Sequence, residues 1–340
     1  MSRINRQWRL TRRPEGAIQD GDLELVETPL SDDVPDGHVL IRTVYLSLDP
    51  TNRIWMSDRD QYLPPVEVGA VMRGSSIGVV EVSRDARLAP GTLVAPGLGG
   101  WQDYDIVPGK QVRPLPAIPG VPATAYLSAL GSTGLTAYFG MLEIGAPKEG
   151  ETVVVSAAAG AVGSVASQLA KLKGARVIGI AGGRDKCRWL TDELGLDGAI
   201  DYKHDDVGAA LDRLCPNGID VNFENVGGPI MDAVLARMNN FARMPLCGLI
   251  SGYNADGPTP GPKDFSLLLM RRIRVQGFIV LDYLSRAGPA QRELAQWVGE
   301  GKIKYKVHVE QGLENAVSAL RRLFTGEHDG KLLVQVSPES

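Results

Sequence analysis

The chain has 340 residues, more than one hydrophobic core usually supports, and this length predicts two domains. Hydrophobic residues make up 44% and charged residues 22%, which is ordinary for a soluble globular protein. The formal net charge of −4, from 36 basic and 40 acidic residues, leaves no basic excess. Neither a nucleic acid nor a membrane is therefore expected as a partner.

The start of the chain and its cysteines bear on where the protein works. The start is rich in arginine, but the apolar stretch of a secretory signal does not follow it. No segment has the roughly 18 unbroken apolar residues of a membrane helix. Cys187, Cys215 and Cys247 form no CxxC motif and no even framework. These features predict a cytoplasmic protein with reduced cysteines.

Short strands are predicted first along the chain. Runs of alternating polarity, separated by turn residues, indicate a small β domain at residues 38–49, 76–83 and 91–97. Residues 123–145 then have a helical period with glycine breaks. From residue 151, apolar strands alternate with helices, which predicts a parallel sheet covered on both faces. The strands are predicted at 151–157, 175–182, 198–202, 219–226, 243–250 and 274–281, and a helix and a strand follow at 315–326 and 331–336.

A glycine-bearing turn lies between the first of these apolar strands and the next helix. Gly160 lets the backbone approach a pyrophosphate, and Gly163 lets the helix pack close to the strand. The helix start at Ala161 and Val162 supplies free N–H groups for phosphates. Ala158 replaces the first glycine of GxGxxG, and a plain strand–helix connection is the alternative.

The end of the following strand indicates which dinucleotide would bind. An NAD enzyme usually has an acidic residue there, but this chain has Gly182. Arg184 and Lys186 follow in the turn and are placed to meet a 2′-phosphate, unless they are solvated surface charges. Asp185 is interpreted as the N-terminal cap of the next helix.

Several segments, in this order, resemble the medium-chain dehydrogenase/reductase superfamily. More narrowly, they are similar to its zinc-free branch of leukotriene hydroxydehydrogenases, prostaglandin reductases and bacterial curcumin-type double-bond reductases. These segments are LSLDPTNRIWMSD, YLPPVEVGAVMRG, AAAGAVG, AGGRDK, FENVGG, CGLISGYN, VQGFIV and DGKLLVQV.

The resemblance implies an α/β fold with two parts. A GroES-like β domain would be formed by residues 1–125 and 300–340, and a doubly wound Rossmann domain by residues 126–299. NADP(H) would be the cofactor, with Gly160 to Gly163 at the pyrophosphate and Lys186 and Tyr202 at the 2′-phosphate. The nicotinamide end would be lined by Asn225, Cys247, Gly248, Ser251, Tyr253, Phe278, Ile279 and Val280. His328 is also a candidate contact, because relatives commonly have an asparagine near this position.

The residues predict no metal site. Zinc alcohol dehydrogenases of the same superfamily use a Cys/His/Cys-type site and a second four-cysteine site. All three cysteines here fall in the predicted Rossmann domain, and Met72-Arg73-Gly74 replaces the usual Gly-His-Glu segment. The histidines are scattered without ligand spacing, at His38, His204, His308 and His328.

Reduction of a carbon–carbon double bond next to a carbonyl needs no metal. Hydride goes to the β-carbon, and the charge that develops on the carbonyl oxygen needs one or two aimed donors. Tyr253 follows a predicted strand end, where ligands bind in such sheets, and is the first candidate donor. Tyr62 matches a substrate-side tyrosine of the curcumin-reductase type and is the second. A packing or rim role is the alternative for each. The expected substrate is an α,β-unsaturated ketone or aldehyde.

The sequence leaves two alternative functions open and also bears on the oligomeric state. A zinc-free quinone reductase would share the fold, and a non-catalytic NADPH-binding or lens-like structural protein would keep AAAGAVG without needing a tyrosine donor. Val275 to Leu281 is predicted as a late sheet strand, and an unpaired edge is a liability. In this superfamily the matching strand pairs with its twin, so the resemblance implies a homodimer with a continuous sheet.

Overall fold

The computed structural model describes residues 3–31, 33–255 and 257–339. Its strands, in chain order, are β1 (Arg3–Leu10), β2 (Leu23–Leu30), β3 (His38–Ser47), β4 (Ser76–Ser83), β5 (Leu93–Ala95), β6 (Tyr104–Pro108), β7 (Arg113–Pro114), β8 (Thr152–Val155), β9 (Arg176–Ala181), β10 (Gly198–Asp201), β11 (Ile219–Phe223), β12 (Met238–Leu246), β13 (Arg274–Gly277), β14 (Val307–Gln311) and β15 (Lys331–Gln335).

Helices connect the later strands and flank the earlier ones. The α-helices are α1 (Thr51–Trp55), α2 (Ser132–Phe139), α3 (Ala161–Leu172), α4 (Arg184–Arg188), α5 (Val207–Leu214), α6 (Gly228–Leu235), α7 (Ser266–Met270), α8 (Ala287–Gly299) and α9 (Ala316–Thr325). π-Helical turns extend α2 at Gly140–Gly145 and α4 at Trp189–Glu193, and 3₁₀ segments include Ala123–Leu127, Ile250–Gly252 and Val280–Arg286.

The chain divides into two compact units. The first comprises Met1–Leu127, Val307–His328 and Leu332–Ser340, and is called the split unit because it is drawn from separate parts of the chain. The second comprises Ser128–Lys306 and Asp329–Lys331, and is called the central unit. Since nearly all of the central unit is one continuous segment, it interrupts the split unit in sequence.

The central unit is built on a parallel sheet in the order β10-β9-β8-β11-β12-β13. The chain starts in the middle at β8, adds strands outward on one side, and then returns to add strands on the other. Every residue of β8 is buried, as a strand covered on both faces requires. This order is the doubly wound arrangement, so the predicted Rossmann fold is confirmed, and the reversal between β8 and β11 is where such sheets bind ligands.

The split unit is built on a sheet in the order β14-β15-β3-β4-β5-β7, with β6 also paired to β3. β3 pairs antiparallel with β4, β6 and β15, so strands from both ends of the chain share one sheet. A buried core with Met56, Trp101 and Leu320 fully enclosed packs beneath it. The predicted β domain is confirmed.

Two of the predicted strands differ most from the structure. The strand predicted at 274–281 ends at Gly277, because Val280–Arg286 turns into a 3₁₀ helix. The strand predicted at 243–250 runs over Met238–Leu246 and therefore begins and ends earlier. Within the described residues, none of the helices combines the length and the apolar character that crossing a membrane requires.

Candidate nucleotide and reduction site

The turn after β8 leads directly into α3. Gly160 is the N-cap residue, with an extended backbone at φ −80° and ψ 176°. The N–H groups of Ala161, Val162 and Gly163 lie in the first helical turn, where the geometry offers no carbonyl partner within the helix. A Cβ on Gly163 would lie 2.3 Å from the carbonyl oxygen of Ala157, so glycine is required for the helix to start this close. The turn therefore presents several N–H groups to an anion.

Alanine replaces the first glycine of the usual dinucleotide pattern without disturbing this turn. Ala158 is fully buried, and its Cβ would lie only 2.9 Å from a Cβ on Gly179 of β9. The neighbouring strand thus supplies the small residue that the contact needs. Ala157 takes the left-handed backbone conformation at φ 50°, which L-residues rarely adopt. The departure from GxGxxG at Ala158 is accommodated by Gly179.

A buried carboxylate holds the turns after β9 and β10 together. Asp201 accepts hydrogen bonds from the backbone N–H of Gly183 at 2.7 Å and of Lys203 at 3.2 Å. Its other oxygen lies 2.7 Å from Nδ1 of His204. This acidic residue is 6% exposed and its oxygens are engaged in these contacts. It therefore fixes the turns that carry the predicted 2′-phosphate residues.

The predicted 2′-phosphate residues lie on these turns. Arg184 is the exposed first residue of α4, Lys186 is half-buried in the same helix, and Tyr202 follows β10 with 41% exposure. The prediction that Asp185 caps α4 is wrong. Gly183 is the N-cap at φ 102°, which starts the helix early enough to place Asp185 in the first turn, where it pairs with Arg188.

Lys186 has charged neighbours of both signs. Burial lowers the pKa of its ammonium group, the charge of Asp329 raises this pKa, and the charge of Lys203 lowers it again. Asp329 also pairs with Lys306, with 3.2 Å between Oδ2 and Nζ. Asp329 lies close to the α3 turn in the fold, because the adjoining Gly330 forms a parallel bridge with Gly160.

Glu224 organises the strand ends at the reversal point of the sheet. It is fully buried directly after β11. Its carboxylate accepts hydrogen bonds from Ser156 Oγ and Asn222 Nδ2, both at 2.9 Å, and from the N–H of Val226 and Gly227 at 2.6 and 2.8 Å. These donors satisfy the buried charge, as such a group requires. The carboxylate fixes the ends of β8 and β11 against each other.

The predicted nicotinamide-side residues on these strand ends are closely connected. Asn225 Nδ2 donates to the carbonyl oxygen of Ser156 at 2.7 Å, and Ser251 Oγ donates to that of Val226 at 2.6 Å. The N–H groups of Cys247 and Gly248 both donate to the carbonyl oxygen of Glu224. Burial, followed by the charge of Glu224, raises the pKa of the Cys247 thiol to about 12. Cys247 is therefore a neutral wall residue at physiological pH.

A cavity of about 430 Å³ opens at the carboxyl end of β12 in the central unit. It brings together five predicted site residues with others that were not predicted. It is lined by Leu246, Cys247, Gly248, Leu249, Tyr253, Thr259, Gly277, Phe278, Ile279 and Asp282. Val280, also predicted, begins a 3₁₀ helix and is not among these lining residues. Most of the lining is apolar side chain or glycine backbone, as small-molecule sites usually are.

Tyr253 is the hydroxyl-bearing aromatic residue of this lining. Its Oη accepts a hydrogen bond from the N–H of Leu249 at 3.1 Å. Accepting this bond uses an acceptor site of the hydroxyl and not its single donor hydrogen. The backbone N–H also stabilises negative charge on the same oxygen, which strengthens Tyr253 as a donor to a developing oxyanion.

Tyr62 and His328 belong to the split unit. The Tyr62 hydroxyl is hydrogen-bonded to Thr51 Oγ1, and burial raises the pKa of this phenol. Tyr62 is nevertheless 39% exposed, and lines a cavity of about 500 Å³ formed by residues 58–65. Arg73 donates to Pro64 nearby, at 3.0 Å. His328 Nδ1 lies 3.3 Å from the carbonyl oxygen of Arg322.

Sequence reasoning missed three residues whose charge could have revealed them. Glu224 is an acidic residue directly after an apolar strand, where a buried charge requires hydrogen-bond partners. Asp282 follows the predicted GFIV segment, and Lys203 follows the predicted Tyr202. Because β9 and β10 are neighbours, any residue just after β10 lies near the end of β9. That rule would have identified Lys203.

Comparison with known proteins agrees with this geometry. Residues 6–115 match a family described as the N-terminal domain of oxidoreductase, and residues 161–296 match one described as zinc-binding dehydrogenase. The NADPH-dependent curcumin reductase of Escherichia coli is 47% identical, with 98% of this chain and 97% of that protein covered. The chain belongs to the curcumin reductase and prostaglandin reductase branch of the medium-chain dehydrogenases/reductases. The predicted family is confirmed.

Two further relatives of this branch support the assignment. The NADP(+)-dependent 2-alkenal reductase of Nicotiana tabacum is 38% identical, with 98% of each chain covered. The crystal structure of CurA in complex with NADPH from Vibrio vulnificus is 45% identical, with a TM-score of 0.89 and 98% of this chain and 99% of that chain covered. In the described parts of our chain, no three His, Cys, Asp or Glu side chains are grouped to hold a metal ion.

Proposed function

We propose that this enzyme uses NADPH to reduce the carbon–carbon double bond of α,β-unsaturated ketones and aldehydes. The cavity at the end of β12 is the observation that carries this proposal, because it combines a largely apolar lining with the hydroxyl of Tyr253. An enone has the same character, with an apolar body and one acceptor oxygen. Relatives in the same branch are named as reductases of curcumin and of 2-alkenals.

The central unit offers a fit for NADP(H). The absence of a Cβ at Gly163 lets α3 start close to the backbone of Ala157 and Ala158, and a phosphate at this turn would meet the N–H groups of the first helical turn. We assign the pyrophosphate to Gly160, Ala161, Val162 and Gly163, and the 2′-phosphate to Arg184, Lys186 and Tyr202. We assign the nicotinamide end to Asn225, Cys247, Gly248, Ser251, Tyr253, Phe278, Ile279 and Val280, and keep His328 as a candidate contact.

The residues of the chain have distinct tasks in the reaction. NADPH, when bound, supplies the hydride that is added to the β-carbon. The Tyr253 O–H donates to the carbonyl oxygen as enolate charge develops there, and the N–H of Leu249 supports the tyrosine oxygen from behind. The α-carbon then takes up a proton from solvent water, which completes the saturated carbonyl compound. Tyr62, in the split unit, is the second candidate donor.

A substrate panel tests the proposed activity. Purified protein with NADPH should oxidise the cofactor in the presence of a simple enone or 2-alkenal, and the product should be the saturated carbonyl compound. We expect the rate to survive dialysis against a chelator, since no metal is proposed to act. Activity with quinones but not with enones would replace this function by quinone reduction. If no acceptor leads to oxidation of NADPH, the remaining interpretation is a non-catalytic NADPH-binding protein.

We also propose that the enzyme is a homodimer with a continuous sheet across the two copies. β13 is at the end of the parallel sheet, and all four of its residues are exposed. Exposed apolar side chains also lie shortly before it in the chain, including Phe265 at 69% and Leu269 at 72%. A second copy presenting the same strand would pair the open edge and cover these side chains.

Sedimentation at micromolar concentration tests the dimer. We expect two chains per particle, and we expect Val275→Lys to raise the dimer dissociation constant about tenfold or more, which is about 1.4 kcal/mol. Val275 is 39% exposed, and Leu172, at the end of α3, is 40% exposed. Leu172→Lys is therefore the matched control and should leave the assembly unchanged. A wild-type monomer under these conditions would contradict the proposal.

The cytoplasm is the proposed location. Cys187, Cys215 and Cys247 are free, and burial raises the pKa of each thiol to about 11 or 12. Unpaired cysteines suit a reducing compartment. Cell fractionation with an antibody against the chain would test this location, and recovery from an oxidising compartment would contradict it.

A further inference from the structure

The space beside the tip of β9 is filled from the neighbouring turn. A Cβ on Gly182 would lie 2.9 Å from Tyr202 Cε1, 3.0 Å from Tyr202 Cζ and 3.0 Å from Lys203 Cε. This is the strand-tip position where an NAD enzyme usually has its ribose-binding acid. An acidic side chain at Gly182 would therefore have to displace the Tyr202 ring and the Lys203 methylenes.

The charges near this tip favour an anion, and Lys203 adds to them. The negative charge of Asp329 acts on Lys186. It partly offsets the positive charge that Lys186 alone offers to a phosphate. Lys306 pairs with Asp329 and offsets this acid in turn. Lys203 adds a second positive charge close enough to act on Lys186. Two ammonium groups that repel each other are both stabilised when a phosphate lies between them.

The position of Lys203 is fixed by the backbone as well as by its side chain. The buried Asp201 accepts from the N–H of both Lys203 and Gly183. Gly183 is the N-cap residue of α4, the helix that carries Lys186. One carboxylate therefore ties the backbone of Lys203 to the start of the helix that carries Lys186.

We propose that Lys203 is a specificity-determining residue that binds the 2′-phosphate together with Lys186. Gly182 has the complementary role of leaving room for the Lys203 methylenes and the Tyr202 ring. This inference rests on the proposed use of NADPH and adds a residue that distinguishes NADPH from NADH. Lys203 adds a second positive charge beside that of Lys186.

Binding of nucleotide fragments tests this role without any turnover. Calorimetry would compare adenosine 2′,5′-bisphosphate with adenosine 5′-monophosphate, which lacks the 2′-phosphate. A charge-assisted hydrogen bond is worth about 1.5–3 kcal/mol, so Lys203→Gln should weaken the bisphosphate about tenfold or more and the monophosphate less than about twofold. Lys186→Gln should have a similar effect. Lys173→Gln, which changes an exposed lysine at the end of α3, is the control and should change neither affinity.

The possible outcomes separate this inference from the function on which it rests. If the wild type binds both fragments equally, the proposed preference for NADPH fails. If the wild type discriminates between them and Lys203→Gln discriminates equally well, Lys203 has no part in specificity. Equal losses for both fragments in Lys203→Gln would show a structural role in the turn and would also overturn the inference. An unchanged melting temperature would establish that each variant is folded.

Discussion

Tyr253→Phe should lower the rate of hydride transfer by up to about 10²–10³, the loss seen when one donor is removed from an oxyanion site. The substitution keeps the ring against the cavity and removes only the hydroxyl. Because enolate charge develops only as the reaction proceeds, the loss should appear in turnover more than in binding. NADPH affinity should change little. Single-turnover kinetics with an enone would measure the rate directly.

Three variants make this test specific. Tyr62→Phe and the double variant show whether the second tyrosine also stabilises the developing charge. If it does, each single variant will lose less of the hydride-transfer rate than the double variant. Tyr305→Phe removes a half-buried hydroxyl elsewhere in the central unit and should have no effect. Tyr253→Phe also leaves the N–H of Leu249 without this acceptor, so the melting temperature must be measured alongside. An unchanged hydride-transfer rate would reduce Tyr253 to a packing residue.

Gly163→Ala should weaken NADPH binding about tenfold or more and destabilise the fold by about 1–3 kcal/mol, the usual cost of overpacking. The added Cβ would lie 2.3 Å from Ala157 O and 2.9 Å from both Ala157 C and Ala158 Cα. These are backbone atoms, so no rotamer change relieves the overlap. The first turn of α3 must move away from the strand, and its N–H groups move with it.

A second helical glycine provides the matched control for this substitution. Gly208 lies in the first turn of α5, and its nearest neighbour would be Arg237 Nη2 at 3.0 Å, the flexible end of a side chain. Gly208→Ala should therefore be neutral or stabilising by up to about 1 kcal/mol, since alanine favours a helix. Chemical denaturation and NADPH titration would compare the two variants. Equal effects would show that close packing at Gly163 is unimportant.

Local patterns in the sequence predicted most of the fold. β4 runs over Ser76–Ser83, the predicted range, because alternating polarity and flanking turn residues both define it. The doubly wound sheet followed from apolar strands that alternate with helices, and the phosphate turn followed from its place between strand and helix. Each of these features depends on residues close together in the chain, where spacing alone carries the information.

These local patterns could not predict contacts between segments that are distant in the chain. Lys203 lies near Lys186 only because β10 pairs with β9, and Asp329 reaches the same region only because Gly330 bridges to Gly160. The partners of Glu224 are likewise spread over two strand ends and the following turn. The early start of α4 depended on the positive φ of Gly183, a conformation that glycine allows but does not require.

The split unit imposes an order on events during synthesis. Tyr45 to Ser47 of β3 pair with Leu333 to Gln335 of β15, at the opposite end of the chain. A ribosome adding about 5–20 residues per second needs on the order of tens of seconds to make the sequence between them. β4 and β6 are available early, but the part of β3 that pairs with β15 has no partner on that edge until then. The central unit is nearly continuous in sequence and can become compact first. The nascent chain therefore passes through a stage with an open, apolar strand edge, where a chaperone that shields such edges would matter most.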